Sequence, residues 1–107
     1  MKEHKRKAEV YYSEQLAGII EETEQGYKFT YNADFIKNGM PVSISLPLRK
    51  EPFESSELFS FFAGLLPEGW YLDIVSKSTK TDKNDKFGLL LATCKDTIGT
   101  AKIMEIK

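Results

Sequence analysis

Ser60-Phe61-Phe62-Ala63-Gly64-Leu65-Leu66-Pro67-Glu68-Gly69-Trp70 is the stretch on which the fold turns. Leu58, Phe61, Phe62 and Leu65 fall at i, i+3, i+4 and i+7, the spacing of one helix face. Phe59 and Leu66 widen that face, and Ser55 or Ser56 is placed to cap the helix start. Pro67 and Gly69 end the helix, since proline carries no N–H for the helical ladder. A second short helix then runs from Trp70 to Ser78, with Ile74 one turn beyond Trp70. Phe61, Phe62 and Leu65 are expected in the core. The turn Pro67-Glu68-Gly69-Trp70 is expected to meet a partner, because tryptophan is over-represented among interface anchors. The candidate contact is Leu66, Pro67, Glu68, Gly69, Trp70 and Tyr71.

Upstream of this stretch the chain reads as antiparallel strands. Lys7–Tyr12 alternates in part, Leu16–Glu21 is a second strand, and Tyr27–Tyr31 alternates cleanly with three aromatics on one face. Gly26, between the last two, supplies the positive φ that short hairpin loops use. Asn32–Gly39 reads as a helical turn that Gly39 ends. Val42, Ile44, Leu46 and Leu48 alternate with Ser43 and Ser45, which predicts a strand at an edge or ending at Pro47. Glu51–Glu54 reads as a loop.

Downstream, Ser78–Asn84 is polar and aperiodic, a loop, and Asp82 or Asp85 is placed to cap a further helix. Phe87, Leu90, Leu91 and Cys94 follow helical spacing. Ile98–Ile106 returns to strand character, with Ala101 and Ile103 on one face and Lys102 and Met104 on the other. Strands, then helices, then a closing strand predict an α+β fold: a small antiparallel sheet, a meander plus one closing strand, packed against three or four short helices.

The 107 residues suffice for one domain spanning 1–107. A hydrophobic fraction of 41% fits an ordered globule rather than a disordered chain. Fifteen basic and sixteen acidic residues leave a net charge of −1, which argues against nucleic acid as the main partner, since phosphate contacts call for a basic excess. The local exception, Lys2-Glu3-His4-Lys5-Arg6-Lys7, reads as a solvated basic arm over residues 1–6. One cysteine, Cys94, suits a reducing compartment. No apolar run approaches the ~20 residues of a membrane helix, and no secretory signal is visible, so the cytoplasm is the expected location.

Enzyme signatures are missing from the sequence. It contains no glycine-rich phosphate loop, and Lys86-Phe87-Gly88 has lysine where a kinase's magnesium-binding aspartate would stand. His4 and Cys94, the single histidine and cysteine, cannot build a zinc site, and Cys94 on an apolar helix face reads as a small buried hydrophobe. Glu21, Glu22, Glu24, Asp82 and Asp85 read as turn and cap residues. No catalytic residue, metal or cofactor is expected.

Several ordered motifs resemble the N-terminal subdomain of HipA-type serine/threonine kinases, the toxins of bacterial toxin–antitoxin modules. They are Leu16-Ala17-Gly18-Ile19-Ile20, Tyr27-Lys28-Phe29-Thr30-Tyr31, Pro41-Val42-Ser43-Ile44-Ser45-Leu46-Pro47-Leu48, Phe61-Phe62-Ala63-Gly64-Leu65-Leu66-Pro67-Glu68-Gly69, and Phe87–Ala92 followed by Ile98-Gly99-Thr100-Ala101. Alanine at position 17 replaces the family's valine. A full-length kinase of this type continues into a catalytic core, whereas this sequence stops at Lys107, so no catalytic residue carries over. The start at Met1 and the end at Lys107 lead us to expect a separately encoded, HipS-like protein beside a shorter HipT-like kinase, rather than a piece of a longer kinase. The resemblance implies a module that docks on a HipA/HipT-type kinase near its ATP loop and restrains it. The alternative is a scaffold that completes the kinase, or joins it to a HipB-like DNA-binding protein, without inhibition. A nucleic-acid adaptor using the basic arm is the weakest alternative, because the overall charge is neutral.

Overall fold

The computed structural model describes residues 5–37, 40–66, 69–93 and 101–106, and of residues 69–71 the backbone alone. It is an α+β fold. In chain order the elements are β1 (Lys7–Tyr12), β2 (Gln15–Glu22), β3 (Tyr27–Tyr31), α1 (Ala33–Ile36), β4 (Phe53–Ser55), α2 (Ser60–Ala63), α3 (Gly69–Thr79), α4 (Lys86–Thr93) and β5 (Ala101–Ile106). The strands form one sheet in the order β4-β3-β2-β1-β5, antiparallel throughout. The chain therefore builds outward from a β1–β2–β3 meander and adds β5 last, beside β1.

Alternation sorts the two faces of the sheet. Ala8 and Val10, Ile20, Phe29 and Tyr31, and Ala101 and Ile103 are buried on one face, where Phe35, Phe62, Phe87 and Leu90 cover them. On the other face Lys7 pairs with Glu21, Glu21 with Lys28, and Lys28 with Glu54. This row of alternating sign crosses four strands and keeps that face solvated while favouring the observed register. The hairpin between β1 and β2 turns on Ser13 and Glu14, both at positive φ (52° and 67°), the geometry of a type I′ turn that matches the sheet's twist. The next hairpin requires Gly26. Its φ is 155°, and a Cβ there would stand 2.1 Å from the Ser55 carbonyl oxygen of β4.

Three sequence expectations change. Val42–Leu48 is not a strand: Leu46 N–H donates to the Ser43 carbonyl at 3.0 Å, closing a tight turn. Val42 and Leu46 are buried, but Ile44 is 98% exposed. The Ser43 hydroxyl accepts from Ser45 N–H at 3.2 Å, and such side-chain-to-backbone bonds compete with a ladder. Phe53–Ser55, whose first two residues fall in the expected loop, is a short edge strand. Phe53 pairs with Phe29 and lies under the Arg49 guanidinium at 3.8 Å, contacts only the folded chain supplies. The helix expected around Leu58–Leu65 is confined to Ser60–Ala63. Ser55 caps a turn by accepting from Glu57 N–H at 3.1 Å, rather than starting that helix.

Other readings hold. The turn at Ala33–Ile36, the helices Gly69–Thr79 and Lys86–Thr93, and the inward Ala101 and Ile103 of β5 all appear. Asp85 does cap α4, accepting from Gly88 N–H at 3.1 Å. α3 ends on Lys80 at φ 57°, and Thr81 N–H closes the motif on the Ser76 carbonyl at 3.0 Å. Gly39 and Cys94 lie outside the described residues.

Tyr31 is the hinge pin between sheet and turn. Its buried phenol accepts from Val42 N–H at 3.1 Å and donates to the Leu46 carbonyl. Tyr31→Phe orphans two buried backbone groups at once. It is expected to lower stability by about 1–3 kcal/mol, read as a lower urea midpoint with unchanged slope.

Candidate partner-binding surface

The segment that carried the sequence reading sits at one end of the sheet. Phe62 is fully buried, packing edge-on against Phe29 at 5.5 Å between centroids. Phe61 reaches Tyr12, the last residue of β1, at 6.4 Å. Leu65 and Leu66 are partly buried against the same core. Of the expected core trio, then, Phe62 is inside and Phe61 and Leu65 line its margin. Leu65 and Leu66 N–H donate to the Phe62 and Ala63 carbonyls at 3.0 and 3.2 Å, so the chain winds tightly up to residue 66. Of the candidate contact residues, Pro67 and Glu68 lie outside the described residues, as do the side chains of Trp70 and Tyr71. The backbone of Gly69, Trp70 and Tyr71 opens α3. One turn on, Ile74 is 48% exposed, whereas the next residue, Val75, is buried.

At the opposite end lies a charged latch that the sequence did not reveal. Residues 1–4 of the expected basic arm lie outside the described residues, but Arg6 is anchored. Its guanidinium grips Glu22 through Nε and Nη2 at 2.8 and 3.0 Å, and Asp85 through Nη1 and Nη2 at 3.1 and 2.8 Å. Its backbone N–H also donates to Glu22, at 3.0 Å. The cation stands 5.4 Å from the centre of the Phe87 ring, which stacks on Tyr27. One side chain thus ties the start of β1 to the end of β2 and to the N-cap of α4. Gly88 makes room for it: a Cβ there would lie 2.3 Å from Asp85 Oδ2 and 3.2 Å from Arg6 Nη1. Arg6 and Asp85 are 79 residues apart, a separation at which no sequence pattern pairs two charges.

Electrostatics follow the geometry. Hydrogen bonds from Arg6 hold Asp85 below the usual carboxylate range, with help from Gly88 N–H. For Glu22 burial pushes upward, and the bonds and charge of Arg6 outweigh it, so the net shift is again downward. A carboxylate whose folded pKa is lowered contributes stability above its unfolded value, and loses it as pH falls through the folded one. The latch therefore acts fully at neutral pH and weakens progressively once the pH falls below the ordinary carboxylate range of about 4. Arg6→Ala is expected to lower stability by about 1–2 kcal/mol at pH 7, between the range of exposed pairs and that of buried ones. The difference between wild type and variant should be smaller at pH 3 than at pH 7, as urea unfolding at the two pH values would show.

A groove of about 530 Å³ runs beside the latch. Its lining carries both signs, Arg6 and Lys80 with Asp82, Asp85 and Glu105, and Arg6 and Asp85 are already bonded to each other. Among the described residues no group of three or more His, Cys, Asp or Glu is placed to hold a metal ion. No helix among them is long and apolar enough to cross a membrane.

The profile of the HipA N-terminal domain family matches residues 8–104, almost the whole described sheet and its helices. The chain belongs to the HipA N-terminal domain family. The resemblance carried by the ordered motifs is thereby established. A solved structure described as the N-terminal domain of HipA toxin superposes with a TM-score of 0.75 at 30% identity, covering 100% of this chain and 98% of that one. An uncharacterized protein of Haemophilus influenzae is 34% identical over 107 residues, spanning 100% of this chain and 99% of the relative. A putative kinase of Sinorhizobium fredii is 32% identical over 78 residues, which cover 71% of this chain but 19% of that kinase. HipA N-terminal domains thus occur at two scales among these relatives: as nearly an entire protein, and as a small part of a much longer one.

Proposed function

We propose that this chain is a non-catalytic component of a HipA-related toxin–antitoxin module, and that it binds a separately encoded HipA-type serine/threonine kinase and restrains it. The contrast between the two relatives carries this reading. This chain matches a stretch that is about a fifth of a kinase-named protein in one organism, and matches a small protein end to end in another. A domain carried in one chain with a kinase is expected to keep a surface for it when the two are separate chains. The contact proposed is Leu66–Tyr71, the stretch between the partly buried Leu66 and the first turn of α3. Seated near the kinase's ATP loop, it would suppress phosphoryl transfer, which depends on accurately positioned phosphates and metal.

The test is a kinase assay with the co-encoded HipA-type kinase, with and without this protein. Dose-dependent inhibition at stoichiometric ratios supports restraint. Binding with undiminished or increased phosphorylation would assign the scaffold role instead, and a three-component reconstitution would then ask whether a HipB-like protein joins. Absence of any complex would overturn the proposal. Steeply salt-dependent DNA binding by this chain alone would favour a nucleic-acid role.

A further inference from the structure

The Val42–Leu46 turn presents a single large apolar side chain to solvent from an otherwise immobilised frame. Val42 and Leu46 are 5% and 2% exposed, whereas Ile44 between them is 98% exposed. Four polar contacts fix the turn: Leu46 N–H on the Ser43 carbonyl, Ser45 N–H on the Ser43 hydroxyl, and the Tyr31 phenol on both Val42 N–H and the Leu46 carbonyl. Ile44 contributes nothing to the core, and the residues beside it, Ser43 and Ser45, are small and bonded to each other at 3.0 Å. Fixing a side chain in advance lowers the ordering cost of association.

Place matters as much as exposure. Tyr31 ends β3, and in the pairing register it lies opposite Gly18, which lies opposite Val10 of β1. Tyr12, which touches Phe61 of α2, ends β1 at that same end of the sheet. Tyr31 and Phe29 share the face that α2 covers through Phe62. The Ile44 turn and the segment leading into Leu66 therefore emerge from the same end and the same face. The kinase-named relative matches 71% of this chain. An uninterrupted stretch of that share includes both the Val42–Leu46 turn and Leu66–Tyr71, whichever end it starts from.

We propose that Ile44 is a second, preorganised contact for the kinase, seating in an apolar pocket of it. This inference rests on the kinase-binding reading above. The turn itself carries no charge, so the contact it makes is apolar and largely indifferent to salt.

Binding of the co-encoded HipA-type kinase to wild type, Ile44→Ala and Ile44→Asp, followed by calorimetry at two salt concentrations, tests it. Because Ile44 is solvated in the free domain, both variants are expected to keep the wild-type melting temperature. Affinity is expected to fall about 10-fold for alanine and at least about 30-fold for aspartate, the range of buried interface anchors. Wild-type affinity in Ile44→Asp, with the complex otherwise formed, overturns this inference and leaves the kinase-binding reading standing. No complex with wild type overturns both. Self-association of the free protein that Ile44→Asp abolishes, with kinase affinity unchanged, assigns the knob to a second copy of this chain and also overturns it.

Discussion

Phe62→Ala is expected to bring the domain close to unfolding. Phe62 is fully buried, and its ring meets those of Phe29, Phe59 and Phe61 at 5.5, 6.3 and 5.1 Å. Truncation removes the transfer energy of the ring and leaves a cavity that α2, a single turn of helix, cannot collapse to fill. The cost is about 3–5 kcal/mol. A domain of this size has about 5–15 kcal/mol in total, so much of its stability goes with one side chain. The melting temperature should fall by roughly 15–30 °C. Ser60→Ala, on the exposed side of the same helix, is expected to change stability by less than about 0.5 kcal/mol. A fall of only a few degrees for Phe62→Ala would show that α2 does not lock the sheet's covered face.

Trp70→Ala carries the largest expected effect on association. Under the proposed function it weakens the complex with the HipA-type kinase by about 2 kcal/mol or more, roughly 30-fold, mostly through faster dissociation. Inhibition of the kinase should fall in parallel. The variant's urea midpoint separates a binding effect from a folding one. Unchanged affinity with an intact fold would remove the Leu66–Tyr71 segment from the interface. The two experiments address different properties of one stretch: Phe62 tests what it does for the fold, and Trp70 what it does for a partner.

The sequence was most informative where local pattern and tertiary demand agree. Tyr27, Phe29 and Tyr31 alternate, and all three lie on the covered side of the sheet with Phe87, Phe62 and Phe35 against them. Asp85 stands one residue before a helical run and caps it. It misled where alternation arose from a different geometry. Val42, Ile44 and Leu46 have the spacing of a strand, but the Ser43 hydroxyl takes the Ser45 N–H, and Tyr31 captures the ends of the turn. A strand face became two buried anchors and one exposed knob. The three residues of β4 have too little intrinsic preference to be seen alone, and exist because Phe29 and Arg49 receive Phe53.

By itself, then, the sequence determined the class of fold, the strands of the meander, the closing strand, the helices after residue 68 and, through ordered motifs, the family. These depend on periodicity and turn chemistry, which act over a few residues and survive in any local reading. Only the tertiary structure decided that β5 lies beside β1, that Arg6 holds Glu22 and Asp85 together, and that Ile44 stands in solvent while its neighbours are buried. Each depends on groups brought together across long stretches of chain, where the energy of a contact exists only once the fold has supplied its partner.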